Sequence, residues 1–257
     1  MTTQNRTMWF LVPVLLLAIW GSSASAVETV PPRKIAIVSL IGDSLTIVHA
    51  QQQLGSRIDR NSHESISILD GSIDREALLA SDDAIKNAAG QTSTVLLKSS
   101  STLSVRQADF FDGQKFVPPS ELETSLKTQG ATHLLLLTKF RAEARFESRT
   151  HSVGHGMIEG VGFYFDRQTV TYRTETGERG IGFLAPYAYF KVSLIELATL
   201  SIVKQQTITA SWLVSEARSR EKSNPWDALT PTEKANSLRF LIKREVLRAV
   251  AELVGTS

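Results

Sequence analysis

The 257-residue sequence contains no cysteine. Disulfides, thiolate metal sites and thiol redox chemistry are therefore excluded. So is a lipid-bearing cysteine behind an export signal. An excess of charge of one sign is missing too: 28 Lys and Arg stand against 26 Asp and Glu. Removing residues 1–26 takes away Arg6 and no acid, which leaves a net charge of +1. That balance is not the basic footprint of a nucleic-acid binder or a polybasic membrane-surface protein. Internal repeats and low-complexity tracts are absent. No Gly-Lys-Ser/Thr follows any glycine-rich run, which excludes a phosphate loop of that type. The match to a dinucleotide fingerprint at Gly180–Ala185 leads into Pro186 and a β-rich run instead of a helix.

The first residues read as an export signal. Arg6 supplies a positive start, and Trp9–Trp20 (WFLVPVLLLAIW) is apolar but shorter than the ~20 residues that a bilayer span needs. Ala24-Ser25-Ala26 then fits the small-x-small cleavage rule. The expectation is a signal over 1–26, no stable membrane span once it is removed, a periplasmic location, and one domain over 27–257. The remaining length buries an ordinary core without covalent staples.

Along that domain, Lys34–Ile41 is β-branched and apolar, as a buried strand is, and Leu45–His49 is also β-rich. Ser65–Leu69 alternates like a half-buried strand. A helix is expected over 74–89, where the period changes and Gly90 stands just past the end. Thr92–Leu97 is the next strand and Ser99–Gly113 reads as loop. Ser120 and Glu123 stand at capping-box spacing before a helix over 120–129. Thr132–Thr138 (THLLLLT) reads as a central strand. Pro186–Leu197 and Ile202–Val214 read as two strands joined by a tight turn. Thr230-Pro231-Thr232-Glu233 opens a last helix to 253, with Ala235, Leu238, Ile242, Val246, Val250 and Leu253 on one face and Lys243, Arg244, Glu245 and Arg248 mostly on the other. The order predicts an α/β (α+β) fold: a mixed sheet with flanking helices, a hairpin-rich second half and a C-terminal helix on the sheet.

Three constellations carry chemistry. The first is Gly42-Asp43-Ser44-Leu45, the four letters of a serine-esterase block, with Ser44 as candidate nucleophile. A hydroxyl needs a base, and its tetrahedral intermediate needs donors. In those hydrolases the base is a His three residues after an Asp, and a Gly-x-Asn block completes the oxyanion site. Here the residues three before His49, His63, His133, His151 and His155 are Thr, Arg, Gly, Ser and Ser, and Gly-x-Asn does not occur. The expectation is a turn between two strands, with esterase chemistry at Ser44 as the alternative. The second is His151 and His155, four apart near Glu147 and Glu159, a candidate metal pair in a glycine-rich segment that does not read as helix. No cofactor is implied.

The third is the glycine- and aromatic-rich stretch from about 151 to 189, expected as a hairpin excursion. Phe163, Tyr164, Arg167, Tyr172, Arg179, Phe183 and Tyr187 are its candidate binding residues, because aromatics and arginine are the types enriched at interfaces. The segments FYFDRQTVTYRTETGERGIGFLAPYAYFKVSLIEL, TITAS and NPWDALTPTEK resemble a group of uncharacterised exported proteobacterial proteins. A looser architectural likeness, strand–helix–strand–helix–strand into a hairpin, resembles periplasmic accessory domains of the curli-secretion and penicillin-binding-protein-activator type. That likeness implies protein contacts instead of catalysis. The resulting expectation is a non-catalytic envelope protein that binds a protein or envelope component. The alternatives are a hydrolase using Ser44 and a periplasmic small-molecule binder.

Overall fold

The structure, a computed structural model, describes residues 33–51, 59–90, 92–148, 151–173, 175–219 and 224–255. The expected signal over 1–26 lies outside the described residues. The chain enters through β1 (Lys34–Ser39), β2 (Ser44–His49) and β3 (Ser62–Ser67), then α1 (Ser72–Ala88) and β4 (Ser93–Leu97). A short α2 (Ser101–Val105) and the small strands β5 (Phe111–Asp112) and β6 (Lys115–Phe116) precede α3 (Ser120–Thr128). Next come β7 (His133–Lys139), β8 (Arg141–Glu143), β9 (Phe146–Glu147) and β10 (Ser152–Val153). The long strands β11 (Met157–Tyr172) and β12 (Arg179–Glu196) follow, then β13 (Ser201–Ser211), β14 (Val214–Ser215) and α4 (Pro231–Val254).

The sheet has two tiers that share one strand. Along the far half of β12, Phe190–Glu196 pairs antiparallel with β7, which pairs parallel with β1, which pairs parallel with β4. Along the near half, Arg179–Tyr189 pairs antiparallel with β11, which pairs parallel with β2, which pairs antiparallel with β3. The other side of β12 takes β13 and, in the same register, β14. Hence β7 and β11 lie end to end against one edge of β12, and β1 and β2 lie end to end one lane further out. The mixed sheet expected from the element order is what forms. The glycine- and aromatic-rich stretch supplies its central strands.

Alternation of apolar residues on β1, β7, β11 and β12 puts side chains on both faces. One face carries a single core, with Ile35, Ile37, Leu135, Leu137, Phe163, Phe165, Phe190 and Val192 under α1 and α4. The helix α1 approaches through small residues, Ala77, Ala80 and Ala84, which lets it sit close to α4. The opposite face divides in two. Ala36, Val38, Leu134 and Leu136 pack under α3 with Phe110 and Phe116. Tyr164, Phe183, Tyr187 and Tyr189 pack under the 144–153 segment through Phe146 and Val153. A capping box, Thr230 with Glu233, starts α4 as its sequence predicts. Glu245, expected on the outer face of that helix, is buried between Arg244 and Arg248, which pair with it at 2.6 and 2.5 Å. Among the described residues no helix is long and apolar enough to cross a membrane.

Glycine is required where the β2–β11 ladder is tightest. A Cβ on Gly162 would stand 1.9 Å from the Thr46 carbonyl oxygen and 2.9 Å from the Tyr187 hydroxyl. Gly177, in the hairpin turn at φ +73°, has open space around it. Gly162→Ala is expected to cost about 3 kcal/mol in urea unfolding, because the ladder must part. Gly177→Ala is expected to cost about 1 kcal/mol, the strain of a left-handed alanine.

Candidate functional site

The Gly42-Asp43-Ser44 segment occupies the joint between the tiers, where β1 stops and β2 continues in the same lane. Gly42 is crowded by the start of α1, since a Cβ there would meet the Asp74 nitrogen at 2.6 Å and the Ile73 Cβ at 2.8 Å. Asp74, in the first turn of α1, turns its carboxylate onto the joint. One oxygen, Oδ1, accepts from the Ser39 hydroxyl at 2.6 Å and from the Ile41 and Gly42 backbone N–H groups at 3.1 and 3.0 Å. Burial pushes the Asp74 carboxyl above its ordinary value, and these hydrogen bonds offset only part of that rise.

The hydroxyl of Ser44 is held from both sides. The Lys139 ammonium, at the end of β7, donates to Ser44 Oγ at 2.9 Å and pairs with Asp43 Oδ1 at 2.5 Å. Ser44 Oγ donates in turn to Asp43 Oδ1 at 3.4 Å. A general base must accept the serine proton. Here the nitrogen nearest to Ser44 donates, and an ion pair occupies it. His49 is five residues along the same strand, about 16 Å away by strand rise and on the opposite face, where its ring meets Phe165 edge-on at 5.4 Å. The expected turn between two strands is therefore a kink within one lane, pinned by side chains from β7 and α1.

His155 is committed to the framework. Its Nε2 lies 2.9 Å from the Gln51 carbonyl oxygen, and its backbone carbonyl accepts from Asn61 Nδ2 at 2.8 Å and from the Tyr164 hydroxyl at 3.2 Å. Asp59 extends this clamp to the Asn61 and Met157 N–H groups at 3.0 and 2.8 Å. Gly156, at φ +78°, permits the approach, since a Cβ would lie 2.4 Å from Asn61 Nδ2. Neither His151 nor His155 belongs to a group of three His, Asp or Glu that could hold a metal ion among the described residues.

The seven candidate binding residues separate by face. Phe163, Tyr164, Phe183 and Tyr187 are 4% exposed or less, so no partner reaches them without unfolding. Phe163 meets Trp226 edge-on at 5.6 Å, and Tyr164 stacks on Phe183 at 5.9 Å. Tyr187 donates to the Thr46 carbonyl at 3.3 Å. Burial pushes the Tyr164 hydroxyl up to about 12 and raises those of Tyr187 and Tyr189. The physical reason is the sheet: this stretch has no solvent face where β12 is covered on both sides.

Arg167, Tyr172 and Arg179 face outward. Arg167 lies within, and Tyr172 and Arg179 stand past, a bulge at which Asp166 accepts the Gln168 and Thr169 N–H groups, both at 2.7 Å. Beyond the bulge Val170 opposes Ile181, and Tyr172 opposes Arg179. Val170, Tyr172 and Ile181 are 37, 54 and 56% exposed, whereas Thr171, between them, is buried against Ser215. The hairpin end thus carries one solvated face of aliphatic, aromatic and arginine side chains. The sequence reading missed Val170 and Ile181, which period-2 counting finds two residues before Tyr172 and two residues after Arg179.

No protein-family model matches the sequence, and no curated protein matches it at a significant level. Among solved structures the chain is similar to a Xanthomonas campestris protein of the DUF330 family, with 9% identity over 87% of this chain and 81% of that one and a TM-score of 0.34. It is also similar to a Helicobacter pylori homologue of a neuraminyllactose-binding hemagglutinin, with 8% identity over 85% of each chain and a TM-score of 0.39. A dodecameric PelC of Paraburkholderia phytofirmans gives 12% identity, 84% and 88% coverage and a TM-score of 0.29. At these scores the likenesses carry no functional argument.

The joint yields a pH-dependent expectation. A raised Asp74 carboxyl contributes stability that is complete below the ordinary carboxyl range, about pH 3.9, and declines as pH rises through its raised value. Asp74→Asn keeps an Oδ1 acceptor, so its stability relative to the natural chain is expected to improve from pH 4 to pH 7. Asp74→Ala strands three donors and is expected to cost about 2–4 kcal/mol at pH 4, a cost that shrinks toward pH 7 by the same amount that Asp74→Asn improves. Urea unfolding of the three proteins across that range checks both statements.

Proposed function

We propose that the chain is a non-catalytic binding module of the cell envelope, exported to the periplasm by its first 26 residues, and that it holds a protein or envelope component on the outward face of the β11–β12 hairpin. The observation that carries the reading is the sorting of the aromatic stretch. Its inner residues build the sheet, while Val170, Tyr172, Arg179 and Ile181 are left together on one exposed face. Exposed apolar and aromatic side chains with arginine beside them form the composition of an interface centre. Arg167 adds a guanidinium over the Phe165 ring at 4.9 Å.

A hydrolase using Ser44 is the competing reading, favoured by the esterase-like letters and by the 2.9 Å contact to Lys139. The donor direction and the ion pair with Asp43 count against it. Two experiments separate the readings. In-cell crosslinking with mass spectrometry is expected to recover a partner that is lost in Tyr172→Ala/Arg179→Ala, with folding unchanged because both side chains face solvent. Fluorophosphonate labelling of the folded protein is expected to be absent. Labelling abolished by Ser44→Ala would replace the binding reading with catalysis.

A further inference from the structure

A second surface, independent of the hairpin end, is built around the outer edge of β13. On its inner side β13 pairs with β12 from Ser201 to Ser211. On its outer side, among the described residues, it pairs only at its start, Ser201 with Lys115 of β6. The Trp212 N–H donates to the Pro186 carbonyl at 3.3 Å, which fixes the phase of the ladder. Residues 206, 208 and 210 therefore turn their backbone groups toward β12, and Gln205, Thr207, Thr209 and Ser211 turn theirs outward. That leaves about 20 Å of strand edge without a ladder partner.

This edge is recessed. A cleft of about 630 Å³ runs over Thr207–Ser211, with segment 142–147 as one wall and α4 as the other. An open sheet edge invites a second sheet, and the walls on both sides of this one narrow the approach to it. A single extended chain is slender enough to enter. The walls also differ in charge. On the α4 side Arg244 and Arg248 share one glutamate, Glu245, which leaves an excess positive charge. On the other side Glu143 and Glu147 accompany one arginine, Arg145, which leaves an excess negative charge. Both arginines of α4 and Glu143 are at least half exposed and open to a ligand.

We infer that the cleft takes an extended polypeptide segment of a partner protein as an added strand on β13, with acidic side chains toward Arg244 and Arg248 alternating with basic side chains toward Glu143 and Glu147. Successive side chains of a strand point to opposite faces, so a peptide of alternating charge matches both walls at once. Main-chain bonds to Thr207, Thr209 and Ser211 supply the affinity, and the two walls supply the register.

The probe is a phage-displayed library of random octapeptides panned on the purified protein at low salt. Enriched sequences are expected to alternate acidic and basic residues, and their synthetic versions are expected to slow hydrogen exchange at Thr207, Thr209 and Ser211. Thr209→Pro removes an outward N–H that β12 does not use, so the fold persists while binding is expected to fall at least tenfold. Glu143→Lys/Glu147→Lys, a surface change, is expected to weaken binding at least fivefold. Methylating alternate peptide nitrogens is expected to abolish it. No enriched peptide, or binding indifferent to Thr209→Pro and to N-methylation, overturns the inference. A dimer in sedimentation that Thr209→Pro dissociates also overturns it, because the occupant is then a second copy.

Discussion

Everything in the fold is registered to one strand. β12 runs 18 residues without a break in its role, and each of its halves organises a tier of the sheet. A strand of that length, flanked on both sides and covered on both faces, buries nearly all its side chains, with Phe183, Tyr187 and Tyr189 on one face and Leu184, Ala188, Phe190, Val192 and Leu194 on the other. Pro186 sits within it without harm. Its missing N–H would point toward the β13 lane, where the ladder has already passed to the single Trp212 contact.

Two tiers hung on one strand create a joint in every lane beside it, and the joints must be filled. In the first lane β7 ends at Lys139, and β11 takes over the pairing with β12 at Gly160. In the second lane β1 gives way to β2 through Gly42-Asp43-Ser44. The long Lys139 side chain runs past Gly160, where a Cβ would touch its Cδ at 3.1 Å, and reaches Asp43 and Ser44 in the neighbouring lane. Asp74 closes the same gap from α1. At the joint these side chains do what ladder hydrogen bonds do elsewhere: the Asp74 carboxylate accepts from the Ser39 hydroxyl and two backbone N–H groups, and the Lys139 ammonium donates to Ser44 and pairs with Asp43 where the strands stop. The same geometry accounts for an esterase-like motif without an esterase's partners.

Legibility in the sequence followed the range of the interactions. β1, β7, α1, α3 and α4 were readable because apolar period is local, and the Thr230–Glu233 cap of α4 is local too. The capping box expected at Ser120 and Glu123 does not form, since Ser120 is already inside α3 and Pro119, which has no side-chain acceptor, stands at its N-cap. Segment 99–113, read as loop, holds the five-residue α2 capped by Ser100, too short for a period to show. Segment 65–69, read as half-buried, belongs to an edge strand, Ser62–Ser67, with every residue exposed. The glycines of 154–182 read as an excursion because glycine marks turns. In the fold Gly162 instead permits close approach between central strands, and Gly182 faces the bulge at Asp166. The joint was illegible although Ser44 stood out, since its partner Lys139 lies 95 residues away and nothing local marks that lysine.

Gly42-Asp43-Ser44 is a structural joint held by Lys139. The most direct test is a double-mutant cycle on Asp43→Asn and Lys139→Met, read by urea unfolding. Both side chains are mostly shielded from solvent, at 27 and 16% exposure, so the account predicts a coupling of about 1–2 kcal/mol. Additive effects, with a coupling near zero, would contradict it.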